Sequence, residues 1–206
     1  MTETEAVAPA LSALAAALRD EGGLLAAVVR DPAPDADRTI ATAVEAGPRS
    51  SVVGPALALA AEATREAELL HHAPELARVV ATDDRDLALL AGDRLYALGL
   101  ERLAEGGWTD DVATLADIVA LVARLHAVPA WAIGPARVGS PATGTGAPEE
   151  AAARTADLWA AAAAALGRGA GSPAAALLRD VRDGQVPDSS ALRAAATAPD
   201  DGSYTP

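Results

Sequence analysis

The segment from Asp83 to Glu105 limits the fold more than any other part of the chain. At about 100° per residue, Leu87, Ala91, Leu95 and Leu98 fall on one side of a helix. Leu89, Tyr96, Leu100 and Leu103 fall on nearly the opposite side. A helix with two apolar faces needs neighbours on both, so this one is expected at the centre of a bundle. Asp86 and Asp93 lie on one flank between those faces. A carboxylate buried there without a partner would be costly or would shift its pKa. Asp93 is therefore expected to meet an Arg, a helix N-terminus or a polar cavity, with a structural hydrogen bond or ion pair preferred over a catalytic role.

The rest of the chain agrees with an all-α fold. Its 206 residues suit one domain with a real core. Aromatics are only 2%, with no Phe, so the core must be built from Leu, Val, Ile and Ala. Small side chains let helices approach closely. No segment alternates with period two, and no internal repeat is present.

The same pass places short helices over Ala10–Arg19 and Asp37–Ala46, with Leu24–Arg30 continuing after Gly22-Gly23. Gly54-Pro55 opens a long Ala-rich helix, Ala56–His72, because Pro suits a first turn. Pro74 interrupts it. Thr82 is the expected N-cap of helix 83–105, which stops at Gly106-Gly107. Thr109 caps the next helix, where Val112, Leu115, Val119, Val122 and His126 share a face, and Pro129 ends it. Further helices are expected over Glu149–Leu166, Pro173–Val181 and Ser189–Ala196. The organisation is then a bundle over 1–133, a Gly/Pro/Ser/Thr-rich linker or loop over 134–148, C-terminal helices of the same domain over 149–198, and a disordered tail over 199–206.

Charge narrows the partners. The net charge is −13, every one of the sixteen basic residues is Arg, and no basic run occurs. Nucleic acid and anionic membranes are disfavoured. There is no Cys, so no disulfide and no thiolate metal site. The N-terminus is acidic where a signal peptide would be positive. Apolar runs such as Ala8–Leu18 are too short to span a bilayer. A soluble, cytoplasmic protein is expected.

Few residues offer chemistry. Asp83, Asp84 and Asp86 could hold Mg²⁺, but acids that open a helix are favoured there by capping and by the helix dipole. His71 and His72 are adjacent and point apart, so C-terminal capping is the better reading of both. His126 reads as a satisfied, half-buried residue. Gly139–Gly146 lacks the Gly-Lys-Ser/Thr ending of a phosphate loop and follows no strand. No serine elbow is present.

Two stretches carry a family resemblance. Glu68-Leu-Leu-His71-His-Ala73 is similar to the Glu-Leu-Ile-His-Thr-Ala stretch of trans-prenyl diphosphate synthases. Asp86-Leu-Ala-Leu-Leu-Ala-Gly-Asp93 resembles their Leu-Ala-Gly-Asp helix. The pieces occur in the family's order and, with helix 109–127, cover residues 54–127. The resemblance implies an isoprenoid-synthase-like helical bundle, truncated here. In that family two DDxxD motifs hold Mg²⁺ against an allylic diphosphate. Counting on from Glu68, the first should fall at Arg78-Val-Val-Ala-Thr82, where no residue is acidic. A second is absent too: Asp110-Asp111 and Asp200-Asp201 lack the third Asp.

The small subunits of two-component long-chain prenyl diphosphate synthases look like this. The resemblance therefore implies a non-catalytic auxiliary subunit, with no cofactor of its own. Its partner would be a catalytic prenyl diphosphate synthase subunit, in a homo- or hetero-oligomer serving isoprenoid or menaquinone side-chain synthesis. Glu68, His71, Asp86 and Asp93 are then ligand candidates or structural relics, and no residue is assigned as catalytic. Two rivals stay open: a divergent Mg²⁺-dependent enzyme using Asp83, Asp84, Asp86 and Asp93, and a stand-alone helical binding protein unrelated to prenyl chemistry.

Overall fold

Glycine and proline set the boundaries of the longest buried helix. Gly54, at φ 73°, breaks the chain after a short turn, α4 (Ser50–Val53), and Pro55 opens α5 (Pro55–His72). Ala73 N–H closes α5 on Leu69 O, and Pro74 begins a single 3-10 turn, Pro74–Leu76. The last carbonyls of α5 are covered from outside the helix: the Arg85 guanidinium donates to Leu70 O at 2.9 Å and also to His71 O. A cation at this end also complements the helix dipole.

The computed structural model describes residues 9–127, 147–182 and 187–198. In chain order the remaining helices are α1 (Ala10–Glu21), α2 (Gly23–Ala26), α3 (Thr39–Glu45), α6 (Arg85–Glu105), α7 (Thr109–Ala127), α8 (Ala147–Arg168), α9 (Pro173–Arg182) and α10 (Ser189–Thr197). The fold is all-α: the only extended pairing among the described residues is an antiparallel bridge between Val29 and Val80. Arg30 N–H and Ala81 N–H bond Val79 O and Val28 O beside it, tying the stretch before α6 to the stretch after α2. The expected helix Leu24–Arg30 is thus shorter, because Val28–Arg30 is drawn into this pairing. The expected bounds of Pro129 and the tail from 199, and most of 134–148, lie outside the described residues; Ala147 and Pro148 are helical.

The central helix is α5, not α6. It packs most extensively on α6 and also meets α1, α3, α4, α7 and α8. Twelve of its eighteen residues are buried, so it has no solvent face to speak of. Its first half joins a core with α3, α7, α8, α9 and α10, built on Leu57, Leu115, Ile118, Leu158 and Leu178. Its second half joins another with α1, α6 and residues 77–80, built on Leu14, Leu70, Val79, Leu95 and Leu98. Each such leucine contributes roughly 2 kcal/mol by leaving water.

Helix α6 buries Ala88, Ala91, Gly92, Leu95, Leu98 and Gly99 along one face. On its other side only the first half lacks a cover: Leu89 is 37% and Leu90 53% exposed, whereas Tyr96 and Leu100 pack against the cores and Leu103 is buried. Its cap also differs from expectation. Asp84 is the N-cap, accepting from Asp86 N–H and Leu87 N–H, while Thr82 Oγ1 accepts from Asp84 N–H one step earlier. A carboxylate completes the dipole better than a hydroxyl, and Thr82 is held in the preceding turn. Gly92 and Gly99 explain why α6 lies so close to α5. A Cβ on Gly99 would sit 3.1 Å from Ala60 O, and one on Gly92 would sit 3.2 Å from Ala67 O.

Candidate functional site: the carboxylates of α5

An alanine-rich helix buried on every side should carry no charge, yet α5 carries three buried glutamates. Glu62 and Glu66 are 0% exposed and Glu68 2%. Burial of this kind demands partners. Glu62 and Glu66, one turn apart, face residues 37–41 and 78–80. Arg65, Glu68 and His72, at i, i+3 and i+7, form a second strip facing α7 and α8.

Glu66 is held by the chain that follows α5. Its Oε1 accepts from three successive backbone N–H groups, Arg78 (2.7 Å), Val79 (2.6 Å) and Val80 (3.2 Å), and its Oε2 accepts from Arg78 Nε at 3.2 Å. Successive amides converging on one oxygen form an anion-binding concavity, here filled by the protein's own carboxylate. Glu62 is less well served. Its Oε1 accepts from Ala41 N–H at 3.0 Å. Its Oε2 lies 2.7 Å from Arg78 NH1, but the approach is not aligned for a hydrogen bond, and Arg78 NH2 has no partner. Burial pushes the Glu62 carboxyl above its usual range, against the opposing pull of the Arg78 charge and the Ala41 N–H.

Glu68 is the hub of the second strip. Its Oε1 accepts from His126 Nε2–H of α7 at 2.9 Å, and its Oε2 from Trp159 Nε1–H of α8 at 2.6 Å. The Arg65 guanidinium also pairs with Oε2 and lies over the Trp159 ring, 5.4 Å from its centroid. Burial alone would raise Glu68. The His126 bond, the Arg65 charge and the Trp159 N–H outweigh it and hold the carboxyl below its usual range.

The three histidines of the chain all gather here. The His72 and His126 rings stack face to face, 3.5 Å apart and 6° from parallel. Edge-on to His72 is His71, at 6.1 Å, and His71 in turn lies 5.5 Å from the Tyr96 ring of α6. Burial, followed by the charges of Glu68 and Asp93, drives the Tyr96 phenol well above its usual range. His71 and His72 do diverge as adjacent helical residues should, but both rings turn to other helices rather than capping α5. Arg85 covers the carbonyls instead. His126 is half-buried and satisfied, as its position suggests.

The four residues singled out from the sequence divide into two groups. Glu68 and His71 belong to this cluster. Asp93 is not buried: its side chain is 75% exposed, and His71 Nε2 lies 3.3 Å from its Oδ1. Asp86 is exposed on the first turn of α6, its N–H bonded to Asp84. Both lie on the exposed first half of α6, with Leu89 and Leu90. Gly92 has a specific place: a Cβ there would come within 2.7 Å of His71 Nε2, so the glycine makes room for the ring. Among the described residues no three His, Asp or Glu side chains are disposed to hold one metal ion.

Sequence reasoning missed Glu62, Glu66, Arg78 and Trp159. The available signal was Glu62, Glu66 and Glu68 set among the alanines and leucines of an 18-residue helix, together with Arg78 in an apolar run. Beside this cluster, α3 and α8 enclose a half-open groove of about 700 Å³. Alanine is the commonest residue of its walls, and Arg65, Trp159 and Asp37 line it too. The turn after α3 meets α8 where a Cβ on Gly47 would lie 2.1 Å from Gly167 O.

Fold and site thus define an all-α protein whose central helix carries internally neutralised carboxylates. No protein-family model, curated protein or solved structure matches the chain. No helix among the described residues is long and apolar enough to cross a membrane.

Proposed function

We propose that this chain is a non-catalytic auxiliary subunit of a heteromeric prenyl diphosphate synthase, acting on the activity or product length of a catalytic partner. The observation that carries the reading is Arg78. It stands where the resembling family places the first aspartate of its metal-binding motif, and its guanidinium sits between Glu62 and Glu66. A cation pinned by two carboxylates repels Mg²⁺ rather than recruiting it. The two resembling stretches also lie on neighbouring helices, with Gly92 of one against Ala67 and His71 of the other.

The test is co-expression of the tagged chain with a catalytic prenyl diphosphate synthase subunit of its host. The two should co-purify, and the complex should condense isopentenyl diphosphate with an allylic diphosphate while the chain alone does not. Failure to co-purify, or Mg²⁺-dependent turnover by the isolated chain, overturns the reading.

The groove between α3 and α8 favours a second reading, a stand-alone helical protein holding an apolar ligand. About 700 Å³ of mainly apolar lining with a few polar groups suits a small molecule. A ligand that survives purification of the chain from its host, identified by native mass spectrometry, would support it; an empty protein that captures no apolar probe would end it.

A further inference from the structure

We propose that the His72–His126 stack is a proton-operated switch, broken by the second proton that the ring pair takes up, which loosens the last turn of α7 from α5. The geometry is particular. Two imidazoles of different helices lie parallel with their centroids 3.5 Å apart. One neutral ring can face one imidazolium at this distance, but two imidazoliums repel strongly in a partly buried setting.

The two rings have unequal neighbours. His126 is bonded through Nε2 to Glu68, whose carboxyl the surrounding donors hold below its usual range. Around His72 stand Glu68 and His71 on its own helix, Arg85 at the start of α6, and His126. Of these only Glu68 favours a charge on His72. Burial and then His126 keep its imidazole below its usual range, with His71 and Arg85 adding to the effect. Arg65 further neutralises Glu68. Asp93 and Tyr96 face His71 rather than His72.

The sign is fixed by these neighbours. A neutral His72 contributes stability above the ordinary imidazole value of 6.5. That contribution is lost as pH falls from there through its lowered folded value. The second proton expels His72 from the stack and leaves the turn held by the Glu68 bond and the packing of Leu125. Glu68 also holds Arg65 and Trp159, which line the groove, so the switch adjoins it.

The experiment is an NMR titration of the full chain from about pH 7.5 to about pH 5, following the His72 and His126 ring protons and the amide exchange of Leu125, His126 and Ala127. The His72 ring should titrate below the ordinary imidazole value. As His72 titrates, exchange at those three amides, corrected for its intrinsic pH dependence, should rise about tenfold, as is characteristic of local opening, with helical circular dichroism unchanged. His72→Phe keeps a stacked ring that cannot be charged, and should abolish the rise. The proposal is overturned by titration of His72 at or above the ordinary imidazole value, by no rise in the wild type, by an equal rise in the variant, or by helical signal lost in the same step. Should the variant not fold, the wild-type His72 titration and amide exchange still decide.

Discussion

Trp159 on α8 donates its indole N–H to Glu68 on α5 at 2.6 Å, across ninety-one residues of chain. The same carboxylate takes His126 from α7 and Arg65 from its own helix, so one side chain fastens three helices. Glu68→Ala would leave an indole N–H, an imidazole and a guanidinium without their acceptor. It should destabilise the fold by about 3 kcal/mol, the range for removing one partner of a buried charged group. Urea denaturation should show a lower midpoint with an unchanged slope. Because the folded value of Glu68 lies below its ordinary 4.5, this contribution is complete above that pH and is lost as pH falls below it. The difference between wild type and Glu68→Gln should therefore shrink in acid.

Glu62 and Glu66 should respond unequally to the same substitution. Glu62 has a raised carboxyl and an unaligned contact with Arg78, so its charge is tolerated rather than well bound. The linkage sign is the reverse of Glu68: the stabilising contribution is present below 4.5 and is lost as pH rises through the folded value. Glu62→Gln at neutral pH should change stability by less than about 1 kcal/mol. Glu66→Gln places an amide against three backbone N–H donors and should cost about 2 kcal/mol or more. Thermal melts of both at neutral pH check the contrast, and a larger loss in Glu62→Gln would refute it.

Gly47 tests the closure of α3 on α8. Its backbone is not in the left-handed region, so any penalty is steric. A methyl there would lie 2.1 Å from Gly167 O, and the obstacle is backbone, which cannot swing aside. Gly47→Ala should cost about 3 kcal/mol, at the upper end for overpacking. A variant with wild-type melting would show that the turn after α3 does not meet α8 at this point.

Asp93 offers the control. An exposed carboxylate beside a histidine adds little, and Asp93→Asn should move stability by less than about 0.5 kcal/mol. A large loss would return Asp93 to the buried role that its helical setting first suggests.

The sequence is legible wherever local chemistry decides. Gly22-Gly23, Gly54-Pro55 and Gly106-Gly107 mark real ends of helices, and the three C-terminal helices fall within two residues of their expected bounds. It is illegible where the answer depends on distant neighbours. A helical wheel cannot tell how much of a second apolar face is covered, so Leu89, Tyr96, Leu100 and Leu103 make α6 look central and Asp93 look buried, although the first half of that face is open. In α5 the same logic assigns glutamates to solvent. Their partners stand at 41, 78–80, 126 and 159, and nothing local to α5 announces them. Glu68 and His71 stand in the resembling motif, and their place in the cluster becomes visible only when α7 and α8 are laid against Glu68 and α6 against His71.

The scattered origin of those partners makes the domain hard to divide. A proteolytic cut between Val80 and His126 would give an N-terminal piece keeping α5 and the donors to Glu62 and Glu66, but with Glu68 stripped of His126 and Trp159. The other piece would carry a histidine and an indole with nothing to receive them. Neither fragment inherits a neutral interior. Insertions, fusions and split reporters should accordingly be placed at the chain ends rather than inside the bundle.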